Sequence, residues 1–459
     1  MSNDSKIIQN QTVNLSAQMI NYLPAGVMNL LSDLSSVAEK EGIILYLVGG
    51  FVRDLILASN HPGIDLDFVL EGNAIGFAKV LAQVFGGELI YHHRFKTVKW
   101  KIDKVSDRWR TDHDTYFPKT IDIITARREI YRSPGALPDI IPSNIEEDVN
   151  RRDFTINTLA MRIDKRGFGD ILDVFGGLED IHNKIIRTLH KNSYRDDPTR
   201  IFRAVRYEQR YNFKIDILDL QLIEESRLIL EKISGERIRN ELTHIFAEPQ
   251  PEKILSRLEK FGILKSISEN LYLDEWLSDQ WDTVKRFPSI YDWKLEMTER
   301  QKIDLFYILW FSHLFHKSQD STEIIMNRIK LSNTLKDSIR SVEMLRNVLT
   351  TMISDPPSKI TSCLEKFKMP SLYIAYLTFD NEKVKDIIYN YVSRWIHISP
   401  NITGEDLKKR GIKPGVVYKH ILGQLRNAWL DGNIKTEKEE LLLLDDIVTA
   451  FTGVNAVTL

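Results

Sequence analysis

Asp65-Leu66-Asp67-Phe68 sets two carboxylates two residues apart. In an extended strand, residues at that spacing point to the same face. Two like charges so close are unfavourable unless a cation lies between them. A pair of Mg²⁺ ions about 3.5–4 Å apart would neutralise them and clamp the attacking and leaving oxygens of an in-line phosphoryl transfer. An isolated Asp-x-Asp is usually a solvated strand edge; the context changes that reading. Gly49-Gly50 lies upstream, with Arg53 just after it. Paired glycines let a backbone approach a phosphate closely, a helix N-terminus offers free N–H groups, and a guanidinium adds bidentate contacts to phosphate oxygens. Farther along, Asp197-Pro198-Thr199-Arg200 opens a segment in which Arg200, Arg203 and Arg206 recur every three residues and form one drifting stripe on a helix. Asp122, within Thr120-Ile121-Asp122-Ile123, is either a third carboxylate for the metal site or an ordinary exposed strand residue.

These groups need elements to hold them. Ile43 to Val48 is a β-branched and aromatic run that stops at the glycines, so it reads as a buried strand. Val52 to Ala58 reads as a short helix. Ile64 to Leu70 alternates acid and apolar residues as a half-buried strand does. That alternation turns both carboxylates toward the Gly-Gly loop and Leu66 and Phe68 toward a core. Ala74 to Phe85 has helical spacing, and strands are expected at Glu88 to His92, Val98 to Ile102 and Thr120 to Ile124. Beyond about Ile185 strand signals nearly vanish, and amphipathic helices follow, as at Ile217 to Leu230, Ile254 to Phe261 and Leu335 to Leu349. Asp197 suits a helix N-cap and Pro198 its first turn. The expected fold class is α+β: an α/β head over 1–180, then an all-α neck over 181–260, body over 261–355 and tail over 356–459.

Two motifs carry a family resemblance. Leu47-Val48-Gly49-Gly50-Phe51-Val52-Arg53-Asp54 with Asp65-Leu66-Asp67-Phe68 resembles the first motif of the class II CCA-adding tRNA nucleotidyltransferase and bacterial poly(A) polymerase family. Arg151-Arg152-Asp153-Phe154-Thr155-Ile156-Asn157 resembles a second, with Thr158 where the family usually continues with Ala. The resemblance implies a DNA polymerase beta-like nucleotidyltransferase head, Mg²⁺ as cofactor, CTP and ATP as substrates and the tRNA 3′ end as acceptor. It implies Asp65 and Asp67 as catalytic metal ligands; Asp122 stays open as a third. It implies nucleotide contacts from Gly49, Gly50, Arg53, Arg152 and Asn157, and Asp153 as the acceptor for a ribose 2′-hydroxyl, a donor that only a ribonucleotide offers.

The segment from Arg195 to Tyr207 is similar to the family's nucleobase-reading helix, although Asp196 stands where a Glu is usual. Cytosine and adenine each present an exocyclic amino donor beside a ring-nitrogen acceptor. A carboxylate at Asp197 accepts from the first and the Arg200 guanidinium donates to the second. Uracil and guanine present the reverse order and would leave both protein groups unpaired, and polar sites of this kind discriminate by about 10⁴-fold. Arg203 and Arg206 would hold phosphates or the second base edge. From Lys184 to Arg210 there are eight lysines and arginines against three acids, a balance that suits an approaching RNA backbone; the alternative is a solvated basic helix face.

Ala126 to Pro138 resembles the flexible loop the family uses to add the terminal A; the alternative is an ordinary surface loop. Ser234 and Glu236 read as a helix start, as do Thr403 and Asp406. From Thr403 to Arg426 the chain is again basic, with six basic residues against two acids, as a tRNA-gripping tail or as a plain bundle. His92-His93 reads as a strand end rather than a ligand pair, and His113-Asp114 lacks the partners of a metal phosphohydrolase.

The bulk composition restricts the remaining classes. The chain has 459 residues, 43% hydrophobic and 27% charged, with 62 Lys plus Arg against 64 Asp plus Glu, so whole-chain charge points to no partner. Cys363 is the only cysteine, which rules out an internal disulfide framework and suits a cytoplasmic setting. Met1 to Thr12 is polar and unlike a signal peptide. The longest apolar run, Leu305 to Phe311, is too short to span a bilayer, so no membrane is expected; no protein partner is identifiable. Full CCA addition, A-only addition, CC-only addition and poly(A) synthesis remain open, with the lack of a long basic C-terminal extension disfavouring the last. A non-catalytic RNA-binding protein would have no need for Asp65 beside Asp67.

Overall fold

The structure, a computed structural model, describes residues 13–58, 65–111, 117–285, 293 and 297–456. Ile64, His113, Asp114 and Met1 to Thr12 lie outside the described residues. The chain packs as two compact units. One runs through Arg237 and takes in Lys260–Ile267; the other holds Ile238–Glu259 and the chain from Ser268 onward. This division differs from the one expected at 180 and 260. The neck helices as far as Arg237 belong with the head because their arginines and tyrosines are bonded into it, as described below.

In the first unit, strands β1 (Leu45–Val48), β2 (Leu66–Leu70), β3 (Glu88–His92), β4 (Thr97–Lys101) and β5 (Thr120–Thr125) enter a seven-stranded sheet, joined by β8 (Ala160–Arg162) and β9 (Ile171–Leu172). Its order is β3-β4-β5-β2-β1-β8-β9. Within this sheet only the β2–β5 pair is parallel; its register sets Asp67 opposite Asp122, and β4 sets Lys99 opposite Asp122 on the other side. β1 is buried along its whole length, whereas β2 buries Leu66 and Phe68 and leaves Asp67 half-buried. The helix Ala74–Phe85 covers the sheet; Asn73 caps it by accepting from the Gly76 N–H, and it ends at Gly86.

Two further strands, β6 (Arg127–Ile130) and β7 (Asp139–Pro142), pair as an antiparallel hairpin. Of the segment Ala126 to Pro138 expected as a flexible loop, Arg127–Ile130 is strand, and 131–138 is the tip that joins it to β7. The neck follows with the short helix Ser193–Asp196, a turn at Asp197–Thr199 and the helix Arg200–Tyr211. That helix starts two residues later than the sequence suggested, because Asp197 is extended (φ −135°) and Thr199 occupies the cap. Asp197 still accepts from the Thr199 N–H and hydroxyl at 3.0 and 2.6 Å. Asn212 ends the helix in the left-handed region, which asparagine tolerates better than most residues.

The second unit is helical throughout its described residues. Thr298 and Gln301 form a capping box that starts the helix Glu299–Lys317, and the run Leu305 to Phe311 is buried in it. Phe246 packs against Trp281, Phe306, Tyr307 and Trp310, with ring centroids 4.6–6.1 Å apart, an aromatic core. Near the C-terminus, Leu407, Ile421, Leu425, Leu444 and Ile447 form a separate small core, and Asp406 accepts from the Thr403 N–H and hydroxyl at the start of Gly404–Lys409. Among the described residues no helix is long and apolar enough to cross a membrane.

Candidate nucleotidyl-transfer site

Asp65 sits exposed just before β2, and Asp67 lies two residues on, between buried Leu66 and Phe68. Asp67 is pushed up to about 6, first by burial and then by the charges of Asp65 and Asp122, against the lowering pull of Arg152 and Lys99. Asp65 and Asp122 are therefore close enough to oppose the ionisation of Asp67. Asp122 pairs one oxygen with Lys99 at 3.3 Å, while its Oδ1 is buried with no hydrogen-bond partner.

The turn after β1 supplies the next groups. Gly49 has φ +75°, and a Cβ there would lie 2.8 Å from the Arg152 Nη1. Only glycine meets both demands without strain. A Gly49→Ala variant is expected to lose about 1–3 kcal/mol of stability and to displace Arg152, which urea denaturation compared with wild type measures. Arg53, on the helix Gly50–Ile56, is only 3% exposed. Its Nε donates to Asp54 and its Nη1 to Asn157, at 2.9 and 2.5 Å. Tyr207 and Tyr211 lie over its guanidinium at 5.1 and 4.6 Å, within the cation–π range. Burial would lower the Arg53 pKa, but Tyr211, Tyr207 and Asp54 outweigh it, so the charge is kept. Nη2 is the nitrogen beside Gly50.

Asn157 donates its Nδ2 to Asp153 Oδ1 at 2.9 Å, and Arg203 Nε donates to Asp153 Oδ2 at 2.7 Å. Burial alone would raise the Asp153 pKa; Arg203, the Asn157 hydrogen bond and Arg200 instead hold it well below the usual carboxylate range. Arg200 is 6% exposed and donates to Ser193 Oγ at 2.5 Å and to the Arg151 carbonyl at 2.9 Å. Arg206 is 8% exposed. The arginine stripe is thus no solvated basic face: Arg200 and Arg206 are buried, Arg203 pairs with Asp153, and Arg187 pairs with Asp180 and Asp216. Much of the positive charge expected to meet RNA is turned inward.

Arg53, Asn157 and Asp153 are therefore bonded in sequence to the neck helix through Arg203, Tyr207 and Tyr211, and Arg152, next to Asp153 in the chain, lies within electrostatic reach of Asp67. The model of the poly(A) polymerase head domain matches residues 45–187, and that of the probable RNA- and SrmB-binding site of polymerase A matches residues 212–272. The A-adding tRNA nucleotidyltransferase of Geobacter sulfurreducens is 30% identical over 92% of the chain, and that of Halalkalibacterium halodurans is 29% identical over 93%. The chain spans about half (47%) of the first relative's length and 94% of the second's. The Thermotoga maritima CCA-adding enzyme complexed with tRNA-CCA superposes with a TM-score of 0.68, at 26% identity, over 96% of the chain and 99% of that enzyme. The chain belongs to the tRNA nucleotidyltransferase and poly(A) polymerase family.

Nucleotidyltransferases of this family generally use a divalent metal ion, and the carboxylates at β2 are the residues here that could hold one. The donor set fits a hard cation: carboxylate oxygens that repel one another, one of them buried and unpartnered at Asp122. Among the described residues, no three His, Cys, Asp or Glu side chains are grouped as a full metal cage. Mg²⁺ commonly takes one or two carboxylates and completes its shell with substrate phosphates and water.

Two parts of the site escaped sequence reasoning. Tyr207 and Tyr211 carry only a four-residue spacing that reads as ordinary helix packing. Asp148 is the other. It is fully buried on the helix Ile145–Asn150 and accepts from Arg151 Nε and Nη2 at 2.9 Å, from Arg152 Nη2 at 3.2 Å and from the Arg127 N–H at 3.3 Å. Its signal was an acid three and four residues before Arg151 and Arg152, at the end of a helix. Removing one partner of a buried ion pair strands the other, so Asp148→Ala is expected to cost about 3–5 kcal/mol. Urea denaturation reads this; a loss below 1 kcal/mol would mean that Arg151 and Arg152 find other partners.

Proposed function

We propose that this chain is a template-independent nucleotidyltransferase that adds CCA, or its terminal A, to the tRNA 3′ end from CTP and ATP with release of pyrophosphate. The observation that carries this reading is the path of groups from β2 to the neck helix: Arg152 lies beside Gly49 and within electrostatic reach of Asp67, and Arg200 and Arg203 are hydrogen-bonded to the Arg151 carbonyl and to Asp153. A nucleotide lying along that path would meet each group in the order its own parts require. Gly49, Gly50 and the Nη2 side of Arg53 flank the triphosphate. Asp153, held ionised, accepts from the ribose 2′-hydroxyl. Asp197 and Arg200 face the Watson–Crick edge of the base, with Arg206 farther along the helix that Arg200 opens. Asp65 and Asp67, with Asp122 adjacent, are the residues that would hold Mg²⁺, which supplies charge neutralisation at the α-phosphate and eases deprotonation of the attacking 3′-hydroxyl. The names of the relatives support tRNA as the acceptor. The lone cysteine, Cys363, suits a reducing cytoplasm as the setting.

Purified protein with labelled CTP and ATP, offered tRNA lacking CCA, CA or only A, tests the reading in one gel. Extension of all three acceptors means full CCA addition. Extension only of tRNA ending in CC means A-only addition, and continued growth beyond A means poly(A) synthesis. No extension of any acceptor would refute nucleotidyl transfer.

A further inference from the structure

The hairpin tip and the start of the neck helix share a contact that none of the roles above uses. Arg237, in the first turn of the helix Gly235–Phe246, donates its Nη2 to Asp197 Oδ1 at 2.6 Å and its Nη1 to the Gly135 carbonyl at 2.8 Å. Gly135 in turn donates its N–H to the Arg195 and Asp196 carbonyls at 3.1 and 3.2 Å. Its φ is +74°, and a Cβ there would meet Ile233 Cδ1 at 2.9 Å. The tip is therefore seated tightly against the turn that carries Asp197.

The hydrogen bonds to Asp197 are one-sided. The Thr199 N–H, the Thr199 hydroxyl and Arg237 all end on Oδ1, and among the described residues no donor reaches Oδ2. A carboxylate's terminal torsion is soft and nearly two-fold, so an unrestrained aspartate would offer either oxygen at a range of angles. Three donors on one oxygen, one of them charged, fix the rotation. The side chain keeps 22% of its exposure, with Oδ2 left as the acceptor.

We infer that Arg237 is a specificity-determining positioning residue: it locks Asp197 through Oδ1 so that Oδ2 alone, in one orientation, meets the exocyclic amino group of cytosine or adenine. This rests on the proposed reading of Asp197 as a base-reading group. The bridge to Gly135 sets the guanidinium plane, which is why arginine rather than lysine suits the position: two acceptors lie in fork geometry, and an ammonium would satisfy them as a point charge with no fixed plane.

Equilibrium binding of CTP, ATP, UTP and GTP in Mg²⁺, alongside misincorporation on tRNA ending in CC, tests the inference without depending on transfer alone. Arg237→Ala is expected to reduce the preference for CTP over UTP about tenfold, and Arg237→Lys to recover only part of it. In an Asp197→Ala background, Arg237→Ala should add no further loss, because it acts through that carboxylate. Thermal unfolding of each variant separates loss of fold from loss of aim, and Arg237→Lys, which keeps the charge, serves if the alanine variant does not fold. A wild-type protein that discriminates and an Arg237→Lys protein that discriminates equally well would overturn the positioning role alone. A wild-type protein that binds all four nucleotides alike would overturn the base-reading assignment and the inference with it.

Discussion

Asp67→Asn is expected to reduce nucleotide incorporation by about 10³-fold or more, since the charge it contributes serves a step in which metal-type stabilisation supplies several kcal/mol. Asparagine keeps the shape of the side chain and its place between Leu66 and Phe68, so the strand is undisturbed. What disappears is the carboxylate whose ionisation Asp65 and Asp122 oppose. Burial and the charges of Asp65 and Asp122 hold Asp67 up to about 6, above the ordinary aspartate value. The sign follows from linkage: a carboxyl whose folded pKa is raised destabilises the fold when ionised, and the cost is relieved as pH falls through about 6 toward its ordinary range. Near neutral pH the substitution should therefore leave the melting temperature unchanged or higher while incorporation collapses. Single-turnover incorporation and a thermal melt on the same preparation check both halves. A retained rate would remove Asp67 from the chemistry, and a collapsed melt would mean that the loss is structural.

The second large effect is expected at Asp197. Asp197→Ala removes the only acceptor proposed for the exocyclic amino group, and discrimination of C and A against U and G should fall by about 100-fold or more, a larger change than any loss of triphosphate affinity. Arg200 is expected to stay in place, because Ser193 and the Arg151 carbonyl hold it from behind. The donor half of the base-reading pair thus survives the substitution, and uracil or guanine no longer faces a repelling carboxylate oxygen. Competition between labelled CTP and UTP on one acceptor measures the ratio. Strict retention of the wild-type ratio would count against a protein template at this position.

What the sequence made legible follows from where periodicity and chemistry agree. β2 was readable because one face is buried and the other carries the acids, so a single alternation specified both strand and orientation. The helix Ala74–Phe85 was readable because Asn73 and Gly86 bound a helical period. The hairpin at Arg127–Pro142 was not, because Arg127-Arg128-Glu129-Ile130 has no alternating apolar pattern. Its supports are Asp148 and Arg237, the latter 102 residues from its Gly135 contact. Arg53 and Arg200 were expected to offer open guanidinium groups, since arginine is seldom buried. Their burial depends on tyrosines, a serine and carbonyls that become neighbours only in the fold. The late start of the Arg200–Tyr211 helix has the same origin: Asp197 is held extended by Arg237 and Thr199, so Pro198 and Thr199 form a turn. The residue types that carry the chemistry were local signals, and the residues that aim them were not.

The central claim is that the β2 carboxylates and the Asp197–Arg200 pair engage a single bound nucleotide. A crystal structure of the protein with Mg²⁺ and a non-hydrolysable CTP analogue tests it most directly. The account predicts the triphosphate between Gly50 and the Asp65–Asp67 edge, with the cytosine amino group within hydrogen-bond distance of Asp197 Oδ2 and the ring nitrogen facing Arg200. A base stacked away from the neck helix, or a triphosphate bound apart from β2, would contradict it.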